Sequence, residues 1–138
     1  MNTTVLTTSS AIITKEEFEK KQSWGLSAAI DLHDCDINLI SSPEYIKKFV
    51  LDLCEEINMK RHGEVLIDRF GDGVLVSEGY SFMQFIETSS ITAHFEEPQR
   101  KAFLDIFSCK YFDPEIAAEF CKNYFKAKDS RLRVMTRE

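Results

Sequence analysis

In PEYIKKFVLDLCEEINM, residues 43–59, the apolar side chains Tyr45, Ile46, Phe49, Val50, Leu53, Cys54 and Ile57 follow helical spacing. They form one stripe along a helix and leave the opposite side charged. Such a helix is stable only when its stripe is buried, so the segment dictates a second layer as well as its own form. Ser41, Ser42 and Pro43 supply a cap and a first-turn proline. Asp113-Pro114 opens a second helix of the same kind, with Ile116, Ala117, Phe120, Cys121, Tyr124 and Phe125 on its stripe. GLSAAIDLHDC, EVLIDRF, VLVSEGYSFMQFIE, SSITAHF, AFLDIFSC and RLRVM read as strands, with a turn at Gly71-Asp72-Gly73. This order predicts an α+β fold, a two-layer sandwich in which an antiparallel β-sheet carries the two helices on one face. Phe82 or Phe85, Phe95, Phe103 and Phe107 cannot all meet the same helices. The other sheet face therefore needs a cover, and dimerisation is a natural one.

The 138 residues suit one domain. Residues 1–13 are rich in Thr and Ser, and Thr14 to Glu17 form a capping box before TKEEFEKKQ, enough for one or two helical turns. Residues 1–22 are expected to be a flexible N-terminal extension and residues 23–138 the folded domain. No apolar run comes near the roughly 18–20 residues needed to cross a bilayer, and the N-terminus lacks the pattern of a secretion signal. A soluble, cytoplasmic protein without a membrane partner is the expectation. The net charge of −6 argues against nucleic acid as a partner. Cys35, Cys54, Cys109 and Cys121 stand far apart without a CxxC pair, and His33 with Cys35 would give only two ligands, so no metal site is expected.

The chemistry concentrates in ETSSITAHF, residues 87–95. Taken singly, Ser89 and Ser90 read as hydroxyls of a polar strand, His94 as a satisfied imidazole, Cys109 as core packing and Ser81 as an exposed strand position. Taken together they do not stay anonymous. SSITAHF followed by AFLDIFSC closely resembles the processing and catalytic region of the small bacterial and archaeal S-adenosylmethionine decarboxylases, pyruvoyl enzymes made by self-cleavage. The resemblance runs in order of elements over about residues 24–135, including WGLSAAIDLHDCD. In that family a histidine lies five residues after the cleavage serine, a cysteine fifteen after the histidine, and another serine eight before the cut; counting from Ser89 gives His94, Cys109 and Ser81.

The resemblance implies cleavage between Thr88 and Ser89, which divides the zymogen into two chains. Ser89 would become the pyruvoyl group that takes the substrate amine as a Schiff base. His94 would be the processing base, Ser81 its support, and Cys109 the proton donor to the decarboxylated substrate. The cofactor would be self-derived, with no metal and no pyridoxal phosphate. The implied activity is a carboxy-lyase acting on S-adenosylmethionine for spermidine and other polyamine biosynthesis, in a homodimer. Thr88 stands where the family commonly has Glu, and Glu96 and Pro98 stand where it has an aromatic and an acid. Glu96, Glu97, Phe95 and Tyr80 are the candidates for substrate contact. Two alternatives accompany this reading: a pyruvoyl decarboxylase of a basic amino acid, arginine or ornithine, and an uncleaved, non-catalytic partner subunit.

Overall fold

A computed structural model describes residues 3–7, 13–71 and 77–138. In chain order the elements are β1 (Thr3–Thr7), α1 (Lys15–Lys21), β2 (Gly25–His33), α2 (Ile37–Ile40), α3 (Pro43–Glu56), β3 (Leu66–Phe70), β4 (Gly79–Ile86), β5 (Ser89–Glu96), β6 (Lys101–Ser108), α4 (Pro114–Tyr124) and β7 (Asp129–Arg137). The strands form one sheet in the order β1-β7-β2-β6-β5-β4-β3. Six of them pair antiparallel, and β1 joins β7 in parallel at the edge. The fold is the expected α+β sandwich. The turn at Gly71-Asp72-Gly73 and the start of the strand expected from Val74 fall mainly on residues 72–76, outside the described residues.

Alternation along the strands decides which face is core. Leu26, Ile30, Leu32, Ile91, Phe95, Leu104, Ile106, Leu132 and Val134 are buried together with Ile46, Phe49, Val50 and Leu53 of α3, Ala117 and Cys121 of α4, and Phe125, which caps α4. The rings of Phe49, Phe82, Phe95 and Phe125 meet at centroid separations of 4.7–6.3 Å, where α3, α4 and the sheet come together. Both helices start as the sequence reading requires: Ser42 Oγ accepts from the Tyr45 N–H at 3.2 Å, and Asp113 Oδ1 from the Glu115 N–H at 3.0 Å. On α4 one expected stripe residue is displaced. Ile116 is half exposed and Ala118 is buried instead, because α4 turns its small Ala117–Ala118 pair to the core.

The phenylalanines separate by face. Phe82 and Phe95 enter the core, whereas Phe85 and Phe103 lie on the opposite side with Leu66, Phe70, Met83 and Met135, all substantially exposed. That open face also carries Ser81, Thr92 and His94 by alternation along β4 and β5.

The described residues of the N-terminal segment, 3–7 and 13–22, include a strand and a helix with partners in the rest of the chain. β1 pairs with β7 from Thr3↔Ser130 to Thr7↔Val134. Thr14 completes a capping box with Glu17, Phe18 is buried beside Tyr111 at 5.7 Å, and the Tyr111 hydroxyl donates to the Ile13 carbonyl at 3.0 Å. An apolar residue inside the charged helix supplies the anchor that its surface-like composition hides.

Candidate active site

β4 and β5 are joined by a two-residue turn, Glu87-Thr88, flanked by the pair Ile86↔Ser89. The turn is braced on both sides. His62 Nδ1 lies 2.7 Å from the Glu87 carboxylate and holds that carboxyl below its ordinary range, and the Glu87 N–H donates to the Lys60 carbonyl at 2.9 Å. From the β6 side, the Cys109 N–H donates to the Thr88 carbonyl at 2.9 Å. Ser89, the strand partner of Ser108, has a φ of 152°. A side chain there costs about 1–3 kcal/mol of backbone strain and persists only where its surroundings enforce it.

This φ has a specific geometric effect. In an L-residue Cβ sits about 120° from the carbonyl carbon around N–Cα, so here the torsion from the Thr88 carbonyl carbon to Ser89 Cβ is roughly 30°. At ordinary negative φ the same torsion is about 80–180°, which keeps the side chain away from the preceding carbonyl. A five-membered ring through Ser89 Oγ and the Thr88 carbonyl carbon needs this torsion nearly eclipsed. The strain at Ser89 is therefore of the kind that ring closure uses.

The second group lies toward the other end of β5. Ser81 and His94 are directly opposite across β4 and β5, with Ser81 Oγ 2.6 Å from His94 Nδ1. His94 Nε2 is 2.6 Å from the Ser77 carbonyl oxygen. A carbonyl only accepts, so Nε2 donates to it. In the neutral ring Nδ1 then carries the lone pair and accepts from the Ser81 hydroxyl. Gly79 permits the chain to return close to β5 here, because a Cβ at that position would fall 1.8 Å from the Phe95 carbonyl oxygen. Ser81 lines a hollow of about 590 Å³ on the open face, between β3, β4 and β5.

The four main candidates thus form two pairs. Ser89 and Cys109 meet at one end, Ser81 and His94 at the other. Five residues of strand separate Ser89 from His94, about 16 Å at the usual rise. At this spacing the side chains of Ser89 and His94 in one chain do not meet.

The expected substrate contacts mostly serve the fold. Phe95 is fully buried, in ring contact with Phe82 and Phe125, and has no surface to offer a ligand. Glu96 is buried and accepts from the Gln99 N–H at 2.7 Å, which closes the turn between β5 and β6. Glu97 is gripped by Arg69 through two bonds of 2.6 and 2.9 Å, and the same guanidinium lies 5.3 Å from the Tyr80 ring. The Glu97–Arg69 pair has no sequence signal, since the two residues are 28 apart. Sequence reasoning also missed an exposed aromatic plate. Trp24 stacks on Phe107 at 5.8 Å and 26°, with the Arg137 guanidinium 5.1 Å from the Phe107 ring. Phe107 is the strand partner of Ser90, so the plate lies at the Ser89 and Cys109 end. Among the described residues no group of three or more His, Cys, Asp or Glu could hold a metal ion, and no helix is long and apolar enough to cross a membrane.

A family model described as S-adenosylmethionine decarboxylase matches residues 26–138. No curated protein matches this chain. Among solved structures the chain is similar to the crystal structure of the adenosylmethionine decarboxylase from Aquifex aeolicus VF5, with 18% sequence identity and a TM-score of 0.71 over 83% of this chain and 91% of that one. At that identity the likeness establishes a shared fold.

Proposed function

The chain belongs to the S-adenosylmethionine decarboxylase family, and on that premise we propose that it cuts itself between Thr88 and Ser89 to become a pyruvoyl-dependent S-adenosylmethionine decarboxylase. Its product would be the aminopropyl donor for spermidine and other polyamines. The observation that carries this reading is the φ of 152° at Ser89 combined with the Cys109 N–H on the Thr88 carbonyl.

Ser89 Oγ bonds to the Thr88 carbonyl carbon as the C–N bond breaks, and the hydroxyl proton passes to the freed nitrogen. An amide becomes an ester. The Cys109 N–H is directed at the oxygen that gains negative charge on the way. A base then removes the Ser89 α proton, the ester Cβ–O bond breaks and Thr88 departs as a carboxylate. Water replaces the nitrogen, which leaves as ammonia. His94 is the proposed base: the Nε2–H bond to Ser77 leaves the lone pair on Nδ1, and it takes the α proton when the Ser81 hydroxyl held there turns aside.

Because His94 stands about 16 Å along β5 from its own Ser89, the base that reaches Ser89 comes from a second copy. Two chains meeting by their open sheet faces in an antiparallel sense would bring each Ser81–His94 pair to the other's Glu87–Thr88–Ser89 turn, where the φ of 152° takes Ser89 out of regular strand geometry, and cover Met83, Phe85 and Phe103. The mature enzyme is accordingly a homodimer.

When formed, the pyruvoyl group supplies a carbonyl that draws electrons from the bond to the departing carbon dioxide. Cys109, exposed at the end of β6, holds the thiol proton for the substrate α carbon. The Trp24–Phe107 plate offers a flat face to a purine ring. The arginine or ornithine reading relied on Glu96 and Glu97, both engaged within the chain.

Intact-mass analysis of purified protein is expected to give fragments 1–88 and 89–138, the second beginning with pyruvoyl. Carbon dioxide should be released from S-adenosylmethionine and not from arginine or ornithine. A chain that stays whole on prolonged incubation removes this reading, and release from an amino acid alone replaces the substrate.

A further inference from the structure

The side chain of Thr88 sits in a relay of hydrogen bonds. The Lys110 N–H donates to Ser108 Oγ at 2.9 Å, Ser108 Oγ donates to Thr88 Oγ1 at 2.8 Å, and Thr88 Oγ1 donates to the Met59 sulfur at 3.3 Å. Ser108 Oγ also lies 3.6 Å from the Met59 sulfur, and since each hydroxyl has one proton to give, one of the two donates to the other and the second to the sulfur. Ser108 is fully buried, and Met59 nearly so. The relay begins in the same turn, residues 108–110, whose Cys109 N–H holds the Thr88 carbonyl. One short segment therefore grips Thr88 twice, by its carbonyl and by its hydroxyl.

We propose that this hydroxyl relay, Ser108 to Thr88 to Met59, is a positioning device for self-cleavage, which fixes the Thr88 peptide plane so that Ser89 Oγ meets the carbonyl carbon. This rests on the self-cleavage reading above. A carbonyl held by one hydrogen bond can still swivel about it; a second attachment through the β-branched side chain stops that rotation. Ring closure is the step most sensitive to such rotation, since carbonyl carbon and oxygen nucleophile are already neighbours in the chain. Thr88 and Ser108 touch neither substrate nor the transferred proton, and they act through the Thr88 carbonyl.

The test follows cleavage of the full chain over time by intact mass. Thr88→Val keeps the branched shape and removes the hydroxyl; it should slow cleavage about tenfold, as should Ser108→Ala, one oriented hydrogen bond being worth about that factor. Thr88→Ser should restore most of the rate. The double variant should be no slower than either single one, because the two hydroxyls form one contact. Hydroxylamine, which cuts esters, separates the steps: it should cut His94→Ala, where the ester accumulates, but leave Thr88→Val and Ser108→Ala slow. Wild-type rates in both hydroxyl variants, or their prompt cutting by hydroxylamine, overturn the positioning role. An uncut wild-type chain overturns the self-cleavage reading and this role with it.

Discussion

Ser89 and Cys109 lie side by side but contribute different parts of themselves. On the proposed mechanism Ser89 acts through its side chain, whereas Cys109 contributes first its backbone N–H, which is bound to the Thr88 carbonyl. Replacing Cys109 by Ala therefore leaves the processing donor in place and deletes only the thiol. The expected outcome is a chain that cuts at close to the normal rate but releases carbon dioxide at least 100-fold more slowly, on the order expected for loss of a proton-transfer group. Mass and carbon dioxide assays on one preparation check both halves. At this scale the residue intervals brought Ser81, His94, Ser89 and Cys109 forward, and two contacts followed: Ser81 with His94, and Cys109 with the bond before Ser89. The relay to Met59 and the grip of Arg69 on Glu97 were not legible, because both join residues far apart through side chains whose types are ordinary on any surface.

Alternation and capping made the elements readable. α3 and α4 begin at the caps that Ser42 and Asp113 announce, since Ser or Asp followed by Pro suits few other places. What alternation alone could not assign was the face given to each phenylalanine, which depends on strand register. β6 illustrates the result: Leu104 and Ile106 point to the helices, while Phe103, Asp105 and Phe107 line the open face. Burial, and secondarily Asp31, raise the Asp105 pKa above its ordinary value. The folded state thus holds this proton more tightly than the unfolded chain. The charged form opposes folding above the raised pKa, and the penalty fades as pH falls through it. Asp105→Asn should raise the melting temperature at pH 7, with the gain vanishing below about pH 3. Thermal unfolding of both proteins across that range checks it; an equal gain at every pH would assign the effect to packing.

The whole molecule has one helix-covered face and one open face, and the second carries half of the proposed chemistry. If the base comes from a second copy, two defective chains can repair one another. Ser89→Ala retains His94 but cannot cut itself, and His94→Ala retains Ser89 but lacks the base. Coexpressed, the pair should yield cleavage in the His94→Ala chain alone, whereas each variant expressed by itself stays uncut. An uncut mixture that nevertheless forms mixed dimers would place the base within its own chain. The need for a cover on this face was readable in the surplus of phenylalanines. The distance between Ser89 and His94 was not, because residues five apart look close in a sequence until a strand extends them.

The sheet order gives the Thr88–Ser89 cut an unusual topological meaning. Fragment 1–88 would own β1, β2, β3 and β4, and fragment 89–138 would own β5, β6 and β7. Across the sheet the ownership runs first, second, first, second, second, first, first. The pieces are woven through one another. Cutting the chain would cost no strand pairing, and neither piece could leave without taking the sheet apart. The uncut chain can assemble this weave as one molecule, while the cut pieces would have to find each other by diffusion. Maturation would thus make folding an event that happens once, with the covalent link discarded after it has guided the strands into place.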